Sequence, residues 1–380
     1  MRRRSRSWLV LLVCLTCLPA AEAAEIESLL NQVKAVGDKG TGNVAAQRAV
    51  TRLSESDSEA LLPILKASND ANPLAMNWLR GAFEAIADRT VKSDGELPLK
   101  ELEAFVLNTD NAPRIRRLAY EWLAKVDEAA PDRLIPQMLD DPSSELRRDA
   151  VARLIDAAKN AEKNEEKLVA HANWKRALEG AIDEDQVKEI VKALKEHGEE
   201  VDLVQHFGML MNWKLIGPFD NKDMKGFDVT YPPEDELDFD AKYEGQLGEV
   251  EWKSYQSENT EGEFDIGALV FNHKGSATYA TTTFDSDDDR DVEFRISTQN
   301  AWKLWLNGEL LFAREEYHRG MFFDQYRVQG TLKPGENVLL LKVLQNEQDQ
   351  DWAQDYKFTF RVTDLSGKAI RPADDRQASR

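Results

Sequence analysis

The stretch AWKLWLNGELLF, residues 301–312, contains two tryptophans three positions apart, followed by an Asn-Gly pair. Asn307 and Gly308 suit a two-residue type I′ hairpin turn, because both tolerate the positive φ angles that this turn requires. Residues three apart in a strand point to opposite faces, so Trp302 and Trp305 cannot enter the same core. The stretch therefore predicts two paired strands that carry apolar side chains on both faces.

The turn also predicts which residues of the hairpin lie opposite each other. The expected pairs are Leu306 with Glu309, Trp305 with Leu310, Leu304 with Leu311, and Trp302 with Ala313. We assign to the core the face formed by Trp302, Leu304, Leu306, Leu311 and Ala313. The second face carries Lys303, Trp305, Leu310 and Phe312, and it is too apolar to lie bare in solvent. Its covering is open at this point: the segment 220–266, the helical half of the chain, or a ligand that stacks on Trp305.

The rest of the C-terminal half also has strand character. RDVEFRIST (290–298) and YKFTFRVTD (356–364) alternate apolar and polar residues, whereas NVLLLKVLQN (337–346) is apolar on both faces, as in a central strand. Short strands joined by turns such as Pro334-Gly335, with no helices between them, predict an antiparallel β-sandwich over residues 206–366.

Three stretches in this half resemble the galactose-binding-like or PA14-like jelly-roll modules of secreted bacterial proteins. They are VEFRISTQNAWKLWLNGELLF (292–312), LKPGENVLLLKVLQN (332–346) and YKFTFRVTDLSG (356–367). The resemblance covers roughly residues 265–366 and implies a jelly roll that binds carbohydrate. Some relatives bind sugar through calcium held by an acidic pair just before the tryptophan-containing strand. Gln299-Asn300-Ala301 stands there in this chain, and this departure argues against calcium-dependent binding.

The preceding half, residues 24–205, has helical periodicity. In APRIRRLAYEWLAKV (112–126) one apolar stripe runs along a predicted helix, with Pro113 suited to its first turn. Thirty-one residues later SSELRRDAVARLIDAA repeats the arrangement, with Leu146 matching Ile115 and the Arg-Arg pair matching as well. Recurrence near 30 residues predicts an α-solenoid.

The stretch LIPQMLDDPSSELRRDAVARL (134–154) resembles HEAT-like repeats of the PBS-lyase type. Such solenoids usually present a face to a protein, so the resemblance implies a protein partner on the helical repeats. A spacer or a support for the second domain is an equally open interpretation.

The N-terminus predicts export. Four arginines precede the apolar run Trp8–Leu18, and Ala21-Glu22-Ala23 fits a cleavage site, so residues 1–23 have the pattern of a signal peptide. We therefore expect a secreted or periplasmic protein that is not inserted in a membrane after cleavage. Both cysteines, Cys14 and Cys17, lie in this segment, so the mature chain would have no disulfide and no thiolate site.

The formal charge is −20, and removing residues 1–23 would leave about −23, because four arginines and one glutamate are lost. A surface this acidic repels phosphate backbones and anionic headgroups, which argues against nucleic acid and membrane surfaces as partners.

Two loops could bind a saccharide. REEYHRGMFFDQY (314–326) and NEQDQDWAQDY (346–356) combine aromatic rings with hydrogen-bonding groups, which suits the C–H face and the hydroxyls of a sugar. The candidate ligand-binding residues are Tyr317, His318, Arg319 and Trp352, together with Trp305. The alternative interpretation is packing at the rim of the sandwich together with surface charge.

Metal, cofactor and catalytic motifs are weak. DSDDDRD (285–291) copies the first ligands of an EF-hand, but Arg290 replaces the required glycine and Ile296 replaces the final glutamate. We interpret this run as a solvated turn and expect no metal site and no cofactor, although a looser structural calcium stays open. No catalytic signature is present, and we predict that the chain is not an enzyme.

These observations predict a multidomain α + β protein. Its expected parts are a signal peptide (1–23), a HEAT-like domain (24–205), a galactose-binding-like β-sandwich (206–366) and a disordered tail (367–380). The expected function is non-catalytic recognition of a saccharide or cell-surface polymer by the sandwich, with a protein docked on the repeats. A structural scaffold without a small ligand and a divergent carbohydrate-active enzyme are the alternatives.

Overall fold

The computed structural model describes residues 18–372, with side chains from residue 22 onward. Residues 1–17, which hold most of the expected signal peptide and both cysteines, lie outside the described residues, as do residues 373–380 of the expected tail. The chain forms two compact units that divide between Ala150 and Val151. Between residues 18 and 372, no helix is both long enough and apolar enough to cross a membrane.

From residue 18 to residue 207 the chain is helical. The helices of this part are α1 (Leu18–Lys34), α2 (Asn43–Ser54), α3 (Leu61–Ser68), α4 (Pro73–Lys92), α5 (Leu99–Leu107), α6 (Pro113–Val126), α7 (Ala130–Leu134), α8 (Ser144–Lys163), α9 (Lys167–Gly180), α10 (Glu184–Glu196) and α11 (Leu203–Phe207). Two short helices, α12 (Pro232–Asp235) and α13 (Ile266–Leu269), follow among the strands.

Helix α6 forms where the apolar stripe predicted a helix. Pro113 occupies its first turn, and the predicted stripe from Ile115 to Leu123 is buried in the core of the unit, while Val126 at its end is 36% exposed. Arg116 lies on this buried side as well. Its guanidinium donates to both carboxylate oxygens of Asp141, at 2.8 and 2.7 Å. The buried charge is therefore paired in a bidentate ion pair.

The second unit contains the strands. They are β1 (Asn212–Asp220), β2 (Lys242–Gly245), β3 (Gly248–Glu251), β4 (Lys253–Gln256), β5 (Phe264–Asp265), β6 (Ser276–Ser286), β7 (Arg290–Thr298), β8 (Ala301–Leu306), β9 (Glu309–Arg314), β10 (Tyr326–Leu332), β11 (Gly335–Gln345) and β12 (Lys357–Thr363). All the pairings are antiparallel, in a six-stranded sheet β4-β1-β6-β11-β8-β9, a four-stranded sheet β10-β7-β12-β5 and a hairpin β2-β3.

Side chains of both larger sheets fill one core. Trp302, Leu304 and Leu341 come from the six-stranded sheet, and Phe294 and Phe360 come from the four-stranded sheet. Strand β11 lies between β6 and β8 and is buried on both faces, as its apolar sequence predicted. The two sheets are therefore held together by burial of their apolar faces.

The hairpin of residues 301–314 confirms the turn but corrects the register. Asn307 and Gly308 have φ angles of 52° and 84°, and Trp305 pairs with Leu310 as predicted. A bulge then shifts the pairing, so that Leu304 lies opposite Phe312 and Trp302 lies opposite Arg314. The predicted pairs Leu304–Leu311 and Trp302–Ala313 are wrong. Because of the extra residue in the bulge, Phe312 faces the shared core, the one filled by side chains of both larger sheets. There its ring stacks on Trp302, with 4.8 Å between the ring centroids.

The chain itself covers the other face of the six-stranded sheet. Trp305 is only 7% exposed and lies in a second apolar cluster, which we call the outer-face core. Its buried members are Ile216, Phe219, Phe227, Val250, Trp252, Ala277, Tyr279, Ala301, Trp305, Leu340 and Leu344. Because Phe227, Val250 and Trp252 belong to the segment 220–266, that segment is the covering, as one of the three expectations proposed.

A buried lysine fastens this covering segment to the sheet. Lys342 is fully buried on β11, and its ammonium donates to Glu234 Oε1 and to the carbonyl of Val229, each at 2.7 Å. Tyr279 also donates to Glu234. Burial lowers the pKa of Lys342, and the hydrogen bond to Glu234 acts in the opposite direction.

The change from helix to strand falls between Phe207 and Asn212, and the two compact units divide inside α8, so that α9 to α11 belong to the second unit. Arg361 of β12 donates to the carbonyl of Phe207 at the end of α11. The amide of Leu210, in the segment after α11, donates to the carbonyl of Phe360.

The C-terminal segment 367–371, expected to be part of a disordered tail, lies along β12. Ala369 forms a β-bridge with Thr363, and the amide of Ile370 donates to the carbonyl of Val362. The acidic run also has a defined place. Asp287, Asp288 and Asp289 are exposed in the turn between β6 and β7, as expected of a solvated turn.

Candidate functional site

Tyr317, His318 and Trp352, three of the five predicted ligand residues, lie together where several loops of the second unit meet. The imidazole of His318 lies edge-on to the indole of Trp352, with 5.3 Å between the ring centroids and 85° between the planes. The ring of Tyr317 lies 6.4 Å from that of His318. Trp352 is 58% exposed, so a large aromatic surface faces solvent at this cluster.

Buried amide side chains form hydrogen bonds with Tyr317 and His318. Asn221, at the end of β1, is fully buried and donates to the hydroxyl of Tyr317 at 3.3 Å and to the carbonyl of Gln345 at 3.0 Å. His318 Nε2 lies 2.7 Å from Asn346 Oδ1. The loops that follow β1, β9 and β11 are therefore connected by side-chain hydrogen bonds.

Asn346 determines the direction of the hydrogen bond that His318 Nε2 forms. Asn346 Oδ1 accepts the backbone N–H of Gln348 at 3.1 Å, and a backbone N–H can only donate, so this atom is the amide oxygen. His318 Nε2 must therefore donate to it, and Nδ1 takes no part in this hydrogen bond. Nδ1 is buried and, among the residues that the structure describes, no group donates a hydrogen bond to it.

His318 also has an unusual backbone. Its φ angle is +59°, a region that costs a residue other than glycine of the order of 1 kcal/mol or more. The strain is held by the hydrogen bond from its amide to the carbonyl of Gln299, and by the contact of its ring with Asn346. Strained backbone of this kind concentrates at functional sites.

Burial is the largest influence on the ionisation of Tyr317. It raises the pKa of Tyr317 to about 12, against the opposing effect of the hydrogen bond with Asn221. Tyr317 therefore keeps its proton at neutral pH and is a hydrogen-bonding group rather than a base. The arrangement can stack and hydrogen-bond a neutral polar ligand, and it holds no paired nucleophile and base.

The other two predicted residues make different contacts. Trp305 is in the outer-face core, where it is not available as a surface platform. Arg319 is exposed, and its guanidinium lies 3.1 Å from Glu316 in a surface ion pair. Among residues 18–372, no group of three or more His, Cys, Asp and Glu side chains is placed to hold a metal ion.

Sequence reasoning missed the polar supports of the site. Asn221 and Tyr317 are 96 positions apart, and Asn221 and Gln345 are 124 apart. No local pattern identifies such partners. Asn346 does begin the loop that was selected for its aromatic and amide content, which is the one signal that pointed to it.

Comparisons with known proteins give no family. No family model matches the chain, and no curated protein matches it. Similar solved structures include an anti-sigma factor domain-containing protein from Clostridium clariflavum, with 14% identity and a TM-score of 0.26 over 44% of this chain and 46% of that chain. A β-glucosidase from Kluyveromyces marxianus in complex with glucose has 14% identity and a TM-score of 0.25 over 44% and 18%.

A GH31 α-xylosidase from Xanthomonas citri has 11% identity and a TM-score of 0.18 over 30% of this chain and 15% of that chain. The chain thus spans less than half the length of each of these neighbours. Similarities at these scores carry no argument about function.

Proposed function

We propose that the protein recognises carbohydrate without catalysis, and that a sugar ring stacks on Trp352 beside His318. In this proposal the chain is exported, the strand-rich part is a jelly-roll sandwich, and the helical part is a HEAT-like solenoid that docks a protein. The observation that carries the proposal is the exposed indole of Trp352, which lies edge-on to His318, a residue with a positive φ angle that is hydrogen-bonded to the amide of Asn346.

The fold proposals have separate support. Two antiparallel sheets that fill one core are what a sandwich requires. In the helical part, Arg116 and Arg147 occupy equivalent positions of the 31-residue repeat, and both donate to Asp141, the first to its carboxylate and the second to its carbonyl. A contact shared by successive repeats is expected when helix pairs stack on one another.

The chemistry of the site suits a neutral sugar. An exposed indole can stack on the C–H face of a pyranose, while amides and carboxylates at the rim bind hydroxyls. Gln299 and Asp355 supply such groups and are hydrogen-bonded to each other. The chain is acidic overall, which favours neutral over anionic glycans.

A structural role is the second candidate. The hydrogen bonds among Asn221, Tyr317, His318 and Asn346 tie the loops to one another, and this alone would explain why the amides are buried. A scaffold would then need no ligand at Trp352.

A glycan array separates the two candidates. The full chain, Trp352→Ala and the control Phe239→Ala are applied to neutral and acidic glycans; Phe239 is another aromatic residue, 43% exposed, and lies beside Trp252. We expect wild type and Phe239→Ala to bind the same neutral glycans, and Trp352→Ala to lose about 30-fold or more in affinity, as for an aromatic hot spot. An array without signal from folded wild-type protein, or unchanged binding by Trp352→Ala, contradicts the proposal.

A further inference from the structure

The second unit contains a cleft of about 410 Å³, a size typical of small-molecule sites. Helix α9 and the turn that follows it form one wall, through Leu178 and Ile182. Phe207 of α11 and the C-terminal segment 367–371 contribute the remaining apolar surface, which includes Ala369. None of the predicted ligand residues lines this cleft, so it is distinct from the cluster at Trp352.

The net formal charge of the residues that line the cleft is positive, opposite to that of the protein as a whole. Lys175, Arg361, Lys368 and Arg371 line it, whereas Glu179 and Glu199 are its only acidic lining residues in the described chain. The formal charge of the whole chain is −20. At physiological ionic strength charges beyond about 8 Å are screened, so the lining dominates the potential that a ligand meets there.

The pairing of these charges shows which of them could meet a ligand. Lys175 lies 3.0 Å from Glu199, and Arg361 is bound to Asp324 at 2.6 Å, so both have carboxylate partners. Arg371 donates to the backbone carbonyl of Gln205 at 2.9 Å. A carbonyl is neutral, and within residues 18–372 no carboxylate forms an ion pair with this guanidinium.

His206 also lines the cleft, and the positive charges nearby influence its pKa. Burial is the largest cause of its lowered pKa, and the positive charges of Arg361 and Arg371 lower it further, against a hydrogen bond to the carbonyl of Ala181. At neutral pH the imidazole is therefore uncharged and donates its Nε2 proton to that carbonyl, at 3.0 Å. An anion in the cleft would favour protonation of His206.

We propose that this cleft binds a small organic anion, an oxyanion carried on an apolar body. Arg371 would hold the anion through charge-assisted hydrogen bonds, while Leu178, Ile182 and Phe207 would cover the apolar body. The proposal does not depend on carbohydrate binding at Trp352.

The test uses the full chain labelled with ¹³C at histidine Cε1, with hexanoate as the probe. The sequence has five histidines, the His206 resonance is assigned with His206→Gln, and His273 and His318 serve as internal references. We expect saturable shifts of the His206 signal and a higher pKa of His206 with hexanoate bound, because binding and protonation are reciprocally linked. Hexanol and acetate, which lack the anion and the apolar body respectively, should each bind more weakly.

Arg371→Gln should weaken hexanoate binding by at least about tenfold, because it removes a charged hydrogen-bond donor. Lys333→Gln, which removes a charge from the exposed turn between β10 and β11, should bind like wild type. Lack of saturable binding, equal binding of hexanol, or wild-type affinity in Arg371→Gln would each overturn the proposal. No saccharide is involved, so such a failure would leave the function proposed at Trp352 unaffected.

Discussion

Replacing Trp305 by alanine tests whether the outer-face core is packed as described. Trp305 is 93% buried under the covering segment. A buried aromatic side chain removes roughly 150–250 Å² from water, and about 25 cal/mol per Å² gives roughly 4–6 kcal/mol before the surface that alanine retains is subtracted. We expect Trp305→Ala to lower the free energy of unfolding by about 3–5 kcal/mol, the range measured for such truncations.

The assay is urea unfolding followed by circular dichroism and fluorescence, fitted with separate transitions because the two units need not unfold together. Leu310→Ala is the matched control, because Leu310 pairs with Trp305 across the hairpin and yet is 49% exposed. This control should lose about 1 kcal/mol or less. If Trp305→Ala lowered the free energy of unfolding no more than Leu310→Ala did, the indole would not be packed, and segment 220–266 would not cover this face of the sheet.

Three further predictions concern buried charges, and each is measured by urea unfolding. Asp141→Ala should lower the free energy of unfolding by about 3–5 kcal/mol, because it leaves Arg116 buried without its partner. The control Asp140→Ala changes a side chain that is 74% exposed and should have little effect. Equal losses in the two variants would contradict the buried ion pair. Glu234→Ala should lower the free energy of unfolding by about 3 kcal/mol, because it leaves the buried charge of Lys342 without its carboxylate partner. The double variant Lys342→Met/Glu234→Leu removes both charges and should recover part of this loss. If it recovered none, the unpaired charge would not be the cause of the loss. Burial alone would raise the pKa of Asp324, but hydrogen bonds from Arg361 and Arg295, together with their charges, hold it below its ordinary value. The ionised Asp324 should therefore contribute its full stabilisation above about pH 4, near the unfolded pKa, and this contribution should be lost as the pH falls through the lower folded pKa. Asp324→Asn should make the free energy of unfolding depend less steeply on pH in this acidic range. An unchanged pH dependence would refute the assignment.

Local sequence predicted the elements well where the local backbone decides them. Asn307-Gly308 specifies a turn through its φ angles, and Pro113 marks the first turn of α6. The bulge in β9 could not be predicted in this way, because Phe312 faces the shared core through its contact with Trp302, which is a tertiary interaction.

The candidate site was predictable only in part, for the same reason. Its exposed aromatics, such as Trp352, stand out in a polar loop, whereas Asn221 becomes part of the site only when β1 pairs with β6. Trp305 illustrates the opposite case. A tryptophan on the second face of a strand fits a ligand platform as well as a second core, and only the path of the segment 220–266 distinguishes them.

The most direct measurement of the central claim is ¹⁹F NMR of the full chain labelled with 5-fluorotryptophan. The Trp352 resonance is identified with Trp352→Phe, and neutral oligosaccharides are titrated one at a time. Carbohydrate recognition at this site predicts that at least one oligosaccharide shifts the Trp352 signal saturably, while the signals of the buried Trp213 and Trp302 stay in place. A Trp352 signal that does not move with any oligosaccharide, or moves only together with the buried tryptophans, would contradict it.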